Sequence, residues 1–209
     1  MKMIISGLLG GALALSATSA NAAFITGQIS LGGYAQAVGS TGFGAATGIT
    51  FANAAGTSVS GSSGSLTSYG AGSGSFASIG SCASSTSGCG TIRNISSFAS
   101  QGTLQNFVLF SSGLAFDLTS VSQVSRPGAN QLSFTALGNL RLAGFDPTPG
   151  RFFLSVQGDN ITSFSSALVA DRVAPSVPEP ATWAMMTLGF GAIGLAMRRK
   201  RVWTRIRFA

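Results

Sequence analysis

Few side chains in this sequence are able to carry out chemistry. The chain of 209 residues has no histidine, two cysteines and five acids, four of which are aspartates between residues 24 and 177. Without histidine, the commonest general base and the imidazole metal ligand are both missing, together with every Ser-His or Cys-His dyad. The sequence therefore predicts a protein that is not an enzyme and that has no metal and no cofactor.

The four aspartates leave one enzymatic hypothesis open, which is a secreted hydrolase built on a carboxylate pair. They are Asp117, Asp146, Asp159 and Asp171. Asp146 and Asp159 lie in turn contexts, where aspartate makes local hydrogen bonds, and Asp117 is expected to face solvent on a strand. A calcium site at Asp159 would lack the ligand-dense loop that this ion requires. Structural roles are therefore favoured over catalytic ones.

Cys82 and Cys89 enclose the six residues Ala-Ser-Ser-Thr-Ser-Gly. In an exported protein this spacing favours a short-loop disulfide, because disulfides persist in oxidising compartments. Loop entropy gives such a bond a contribution of about 2–3 kcal/mol. The alternative is a metal or redox pair, but further ligands and the Cys-x-x-Cys spacing are both missing.

The first residues have the pattern of a secretory signal peptide. Lys2 supplies a positive start, residues 3–17 are apolar and small, and Ala20-Asn21-Ala22 has the small-x-small pattern of a cleavage site. The apolar stretch is shorter than the ~20 residues of a membrane span. We predict cleavage before Ala23 by signal peptidase and export across the inner membrane.

The C-terminal region combines a rigid box, an apolar segment and a basic cluster. Pro178-Glu179-Pro180 is followed by the uncharged residues 181–197 and then by Arg198-Arg199-Lys200-Arg201. The apolar segment is just long enough to cross a bilayer as a helix, and the cationic cluster would hold its end in the cytoplasm. We predict a single C-terminal transmembrane helix over 181–197, with a plain unprocessed anchor as the alternative.

This order of features resembles the PEP-CTERM sorting signal in its PEPxxWA form. The resemblance implies processing by an exosortase near the Pro-Glu-Pro box, in a Gram-negative host that makes exopolysaccharide or biofilm. Family tails usually stop soon after the basic cluster, whereas residues 202–209 continue here as a basic tail. The residues that match the sorting motif are Pro178, Glu179, Pro180, Trp183, Ala184 and Met185, and those of the membrane stop are Arg198, Arg199, Lys200 and Arg201.

The net charge of +7 is concentrated at the C-terminus. Six of the twelve Lys and Arg residues lie within residues 198–207, whereas five arginines face four aspartates between residues 24 and 177. A nearly neutral middle region has no basic surface for nucleic acid, which excludes DNA or RNA as a predicted partner. The basic cluster is typical of a membrane-orientation signal.

The exported region is predicted to be all-β. Short apolar runs separated by Gly, Asn, Asp and Pro turns indicate an antiparallel β-sandwich or a barrel-like sheet, and no segment of this region suggests a helix. Residues 56–75 are so rich in Gly and Ser that irregular or edge-strand structure is expected. The predicted strands are 24–30, 47–51, 104–110, 114–118, 132–136, 152–156 and 161–169, with a bulge or turn at 138–139 and turns at 146–150 and 158–160.

These features predict an exported, non-enzymatic envelope or matrix protein that is associated with exopolysaccharide or biofilm. A carbohydrate-binding β-sandwich is the alternative, with Tyr34, Tyr69 and Phe residues as a sugar-stacking surface, although core packing is favoured for them. The expected location is an inner-membrane-anchored precursor and then the cell surface or matrix. The predicted segments are the signal peptide 1–22, the exported domain 23–175 with halves 23–100 and 101–175, the sorting signal 176–201 and the tail 202–209.

Overall fold

The computed structural model describes residues 23–171 and 180–198. The predicted signal peptide 1–22 and the tail 202–209 lie outside the described residues. The described strands belong to one compact unit and the helix belongs to another. The strands are β1 (Ala23–Phe24), β2 (Gln28–Val38), β3 (Gly48–Phe51), β4 (Ser63–Tyr69), β5 (Cys82–Ala83), β6 (Gly90–Arg93), β7 (Leu104–Phe110), β8 (Ala115–Ser125), β9 (Gln131–Arg141), β10 (Phe145–Asp146), β11 (Thr148–Gln157) and β12 (Thr162–Ala170), and the helix is α1 (Pro180–Arg198).

Eight of these strands form a closed, barrel-like ring in which all neighbours are antiparallel. The order is β2, β12, β11, β9, β8, β7, β6 and β4, and β4 pairs again with β2 at Leu31–Gly33. The short strands β3 and β5 extend β2 and β4, while β1 pairs in parallel with β10. The all-β prediction is confirmed, and of its two forms the structure has the barrel-like sheet.

The strands of the ring have an apolar face that points inward and a more polar face that points outward. In β11 the side chains of Phe152, Leu154 and Val156 are buried, while their neighbours Phe153 and Ser155 face outward. This period of two is what a strand with one buried face requires. The same pattern lets an outward-facing row of side chains continue from strand to strand.

Phenylalanine fills the inside of the ring. Phe107 lies at the centre, with ring centroids 5.2 Å from Phe152 and 6.4 Å from both Phe51 and Phe116. These four side chains are fully buried. Because the interior of an eight-stranded barrel is only wide enough for side chains, this packing makes the inside of the ring a core.

The prediction that β7 is buried on both faces is only partly right. Phe107 and Val108 are both buried, but Leu109 is 36% exposed. A register shift between Leu104 and Val108 interrupts the pairing with β8, and Asn106 has a φ of 51°. The bulge turns two successive side chains inward, so the apolar run does not reflect a strand buried on both faces.

The predicted turn or bulge at Gly138-Asn139 is wrong for β9, which is continuous there. Gly138 pairs with Gly150 of β11, and the register shift lies on the partner strand β8 between Leu118 and Ser120. A Cβ atom at Gly138 would overlap the backbone oxygen of Asp117 and would lie 2.7 Å from the ring of Phe116. The glycine therefore allows close approach of two strands instead of a turn.

The turn predicted over residues 146–150 is also wrong. Residues Thr148 to Gly150 belong to β11, where Pro149 pairs with Asn139 of β9. The proline lies beyond the last pair between β11 and β12, which joins Gly150 to Ala170, so its missing N–H costs no ladder bond on that side. The chain reverses earlier, at Ala143–Gly144.

Two further strand predictions are corrected in the first half. The single strand expected over 24–30 is broken at Gly27, whose φ of 100° ends the extended run before β2 begins. The segment 56–75 contains β4, which pairs with both β2 and β6 and is therefore a member of the ring. Its buried residues, such as Leu66, were too sparse to mark it as a strand.

The helix α1 coincides closely with the apolar segment of the sequence. It begins at Pro180, where a proline is tolerated because the first N–H groups of a helix have no intrahelical partner. The described side chains, from Trp183 to Arg198, are exposed. The predicted C-terminal helix is confirmed, but for its predicted membrane-spanning role over 181–197 the finding is negative: no helix among the described residues is both long and apolar enough to cross a bilayer.

Candidate functional site: an outer groove and a sorting motif

Three of the four aspartates contact an arginine or an amide. In addition, no cluster of three or more Cys, Asp or Glu side chains that could hold a metal lies within residues 23–171 and 180–198. These three aspartates therefore link neighbouring strands and loops at the surface of the domain. The pairs are Asp117 with Arg141, Asp159 with Asn130, and Asp171 with Arg151.

Asp117 has the most complete set of contacts among these acids. The guanidinium of Arg141 donates to both carboxylate oxygens, at 2.6 and 3.1 Å, and the backbone N–H of Asn106 donates to Oδ1 at 2.7 Å. The hydrogen bond from Arg141 lowers the pKa of Asp117 below its usual value, and partial burial opposes this only in part. A carboxyl that is held ionised and bonded in this way is not poised to donate a proton.

Cys82 and Cys89 are joined by a disulfide in the structure, with a Cα–Cα distance of 5.8 Å. Cys89 is fully buried and belongs to the apolar core. Residues 84–88 between them form an exposed loop whose Ser84 and Ser87 hydroxyls are 3.0 Å apart. The bond therefore ties this loop and the short strand β5 to the wall of the ring.

A groove lies on the outer wall where β8, β9, β11, β12 and β2 run side by side. Its volume is about 660 Å³ and it is open to solvent. No charged side chain lines it, since hydroxyl groups, one amide and a few apolar groups form its surface. We call this surface the serine groove, and its lining residues are Ser30, Gln123, Ser125, Ser133, Phe134, Thr135, Phe153, Leu154, Ser155, Ser165, Ser166 and Ala167.

Phe153 is the exposed aromatic side chain of this groove, with 37% of its surface accessible, whereas Phe134 is buried. The guanidinium of Arg151 lies over its ring, 5.8 Å from the centroid, and is itself held by Asp171 at 2.7 Å. A cation over an aromatic face is attracted by the ring quadrupole. The arrangement positions an exposed ring beside a polar surface.

The two tyrosines named as stacking candidates do not form an exposed aromatic row. Tyr69 is buried and packs edge-to-face against Phe110, with ring centroids 5.1 Å apart. Tyr34 is half-buried. Core packing, which the sequence favoured, therefore holds for Tyr69. Phe153 is an exposed ring on the outer wall that sequence analysis did not single out. Period-two alternation after Phe152 was the signal that could have found it.

The sorting motif lies only partly within the described residues. Pro178 and Glu179 are outside them, and Pro180 is the first residue of α1. Trp183, Ala184 and Met185 follow on α1 and are exposed. Of the membrane-stop residues, Arg198 ends α1, and Arg199, Lys200 and Arg201 are also outside the described residues.

Residues 176–201 match the family model described as the PEP-CTERM protein-sorting motif. The chain carries a PEP-CTERM sorting motif. The match has the predicted bounds, and it includes the Pro-Glu-Pro box, the apolar helix and the basic cluster. The PEP-CTERM motif implies exosortase processing and supports an exported precursor that is anchored in the membrane. No curated protein and no solved structure matches the chain significantly, so the PEP-CTERM match informs the tail alone.

Proposed function

We propose that this chain is a non-enzymatic envelope or extracellular-matrix protein of a Gram-negative bacterium, associated with exopolysaccharide or biofilm. One observation carries the proposal: the PEP-CTERM motif at residues 176–201 follows a folded domain. In this proposal signal peptidase removes residues 1–22, exosortase acts near Pro178-Glu179-Pro180, and the domain passes to the cell surface or matrix.

The packing of the domain supports the non-enzymatic part of the proposal. Enzymes bind substrates in concave sites with converging polar and titratable groups. Here the inside of the ring is occupied by aromatic side chains such as Phe107 and Phe152, and Asp117 and Asp171 are each paired with an arginine. Such a domain is suited to a role that depends on its outer surface.

Processing is tested with the full-length protein expressed in its native host. We expect material recovered outside the cells to have a mass that lacks residues 1–22 and the segment after the Pro-Glu-Pro box. The variant Glu179→Ala should stay cell-associated with its tail intact, whereas the neighbouring control Ser176→Ala should be processed normally. Cytosolic protein with both termini intact would overturn the proposal.

Matrix association and lack of catalysis need a second measurement. The processed protein should co-fractionate with the exopolysaccharide of the host and should be released when that polymer is removed by an added hydrolase. Incubation with the same polymer should generate no new reducing ends. Release of reducing ends by the wild type, with loss of this activity in Asp117→Asn or Asp171→Asn, would show a hydrolase instead.

A second candidate function, a carbohydrate-binding module, is favoured by the serine groove. An exposed ring at Phe153 lies beside a hydroxyl-lined surface without charges. This function is compatible with the first, because a matrix protein must contact its matrix at some surface.

A further inference from the structure

Four serines form a straight row across the serine groove. Ser125 of β8, Ser133 of β9, Ser155 of β11 and Ser165 of β12 occupy directly opposite positions in three successive strand pairs. Neighbouring strands are ~4.8 Å apart, so the row spans about 14 Å. We call these four residues the serine row.

The hydroxyl groups of the serine row make no side-chain hydrogen bond to any part of the chain that the structure describes. Other hydroxyls on the same strands are already used: Ser122 donates to the oxygen of Thr135, and Ser166 donates to the oxygen of Leu31. The serine row therefore presents four donor and acceptor groups that are available to a ligand.

Phe153 lies two residues before Ser155 on β11, so both side chains are on the same outer face. It is directly opposite Thr135 on β9 and Ala167 on β12, both of which also line the groove. Both neighbours are smaller than the ring, which is 37% exposed, and the guanidinium of Arg151, paired with Asp171, lies over it. An apolar platform and a line of hydroxyl groups thus run side by side on one rigid sheet.

The chemistry of this surface selects one class of ligand. A sugar ring has an apolar C–H face and a rim of hydroxyl groups, which matches a flat aromatic ring beside a row of hydroxyls. The lining itself has no cation and no carboxylate, and the guanidinium of Arg151 beside it is already paired with Asp171. The surface therefore offers no unpaired charge to a polyuronate, a phosphate or a metal ion. The open groove also lacks the deep apolar pocket that anchors a peptide side chain.

We propose that the serine groove binds a neutral polysaccharide, with a sugar face on Phe153 and sugar hydroxyls along the serine row. This proposal rests on the proposed function, because it names the surface through which a matrix protein would hold its glycan. It adds the site, the contacting residues and the uncharged nature of the polymer.

The test measures binding of the full-length protein, purified in mild detergent, to immobilised polysaccharides by biolayer interferometry. The probes are dextran and xyloglucan as neutral polymers and alginate as a charged one. We expect retention on at least one neutral polymer and weaker retention on alginate. Phe153→Ala should weaken neutral binding by about fivefold or more, as removal of an aromatic anchor does, whereas Phe153→Trp should preserve it.

Matched controls are available on the same outer wall. Leu137 is 39% exposed, close to the 37% of Phe153, so Leu137→Ala removes a similar apolar side chain and should change binding by less than about twofold. Ser155→Val should weaken binding, and Thr91→Val on β6, which introduces the same side chain on another strand, should not. Thermal unfolding of each variant verifies that the fold is retained.

The outcomes separate this site from the wider function. Absence of binding to both neutral polymers, or preference for alginate, would overturn the neutral-glycan proposal. Equal loss in Phe153→Ala and Leu137→Ala, or no loss in either, would place binding elsewhere and would also overturn it. Each of these results leaves the processing and matrix co-fractionation tests standing, because they do not depend on Phe153.

Discussion

The guanidinium of Arg141 on β9 donates two hydrogen bonds, of 2.6 and 3.1 Å, to the carboxylate of Asp117 on β8. The same guanidinium donates to the side-chain oxygen of Asn106, whose backbone N–H donates to Asp117. Three strands thus meet at one ion pair, and Asn106 is the bulged residue of β7 with φ of 51°. The pair therefore fastens the bulge that turns Phe107 and Val108 inward.

This pair predicts a pH-dependent contribution to stability. The pKa of Asp117 is lowered in the folded state, mainly by the hydrogen bond from Arg141. A lowered pKa means that the contribution is present above the unfolded value of about 3.9 and is lost as the pH falls through the folded value. Asp117→Asn should therefore lower the free energy of unfolding by about 1 kcal/mol at pH 7, a size that solvent exposure of the pair limits.

Urea unfolding of the full-length protein at pH 7 and pH 3 checks this prediction. At pH 3, which is below the unfolded value, the difference between the wild type and Asp117→Asn should be smaller than at pH 7, because the contribution decreases as the pH falls toward the lowered pKa of the folded carboxyl. A double-mutant cycle with Arg141→Gln isolates the pair. A difference between wild type and Asp117→Asn that is as large at pH 3 as at pH 7 would count against the assigned cause.

Gly138 provides a sharp test of strand packing. A Cβ atom there would overlap the backbone oxygen of Asp117 and would crowd the ring of Phe116. Gly138→Ala should lower the free energy of unfolding by about 1–3 kcal/mol, because overpacking forces shifts in a close-packed wall. Gly102→Ala is the control, since nothing lies within 4 Å of its added Cβ, and it should change stability by no more than about 0.5 kcal/mol.

The disulfide between Cys82 and Cys89 should contribute to stability through its closed loop. The sequence separation is 7 residues, for which the loop-entropy estimate is about 2–3 kcal/mol. The double variant Cys82→Ala with Cys89→Ala should therefore unfold at lower urea concentration than the oxidised protein. Reduction of the wild type by dithiothreitol serves as the control, and it should give a similar shift. Equal midpoints for the oxidised and reduced protein would contradict this role.

The two faces of β11 should respond very differently to truncation. Phe152 contacts Phe107 inside the ring, so Phe152→Ala leaves a cavity and should lower the free energy of unfolding by about 3–5 kcal/mol. Phe153 is outside and 37% exposed, so Phe153→Ala should lower it by about 1 kcal/mol or less. Chemical unfolding of both variants measures this contrast, and similar losses would mean that Phe153 is a core residue.

The inward-facing residues of β11 could be predicted because this strand alternates cleanly, although the turn predicted over residues 146–150 was wrong. Phe152, Leu154 and Val156 point inward with a period of two, and β11 shows that alternation throughout. The bounds of β7 were predicted correctly for a different reason, since its apolar run is continuous. The bulge at Asn106 could not be predicted, because its hydrogen bonds are with Asp117 and Arg141, which lie on other strands.

Glycine was the main source of wrong predictions. Gly138 suggested a turn, but its role is close contact with β8, which only the three-dimensional pairing reveals. Residues 56–75 have few apolar side chains, so their sequence did not indicate a strand. β4 is held in the ring mainly by backbone pairing with β2 and β6, which a hydrophobic pattern does not reveal. These pairings also close the ring. The sequence alone therefore could not decide between a sandwich and a barrel-like sheet.

The sorting motif could be predicted from the sequence, whereas the serine groove could not. The PEP-CTERM match is a linear order of residue types over 176–201, so a sequence suffices to identify it. The serine row consists of four residues from four strands, brought into line by register alone. The alternation within a strand indicates which side chains face outward. It does not indicate which outward residues of neighbouring strands lie opposite one another, so the row could not be predicted.

The pairing of Gln28 with Val169 has a mechanical consequence. The first residue of β2 and the end of β12 are neighbours. A force applied between the two ends of the domain would therefore peel these strands apart from that point, once β1 has separated from β10. Their hydrogen bonds would break one pair after another instead of all at once. Release of the C-terminal end would remove that load, and a protein held to its matrix through the outer wall would then be pulled across the strands rather than unzipped.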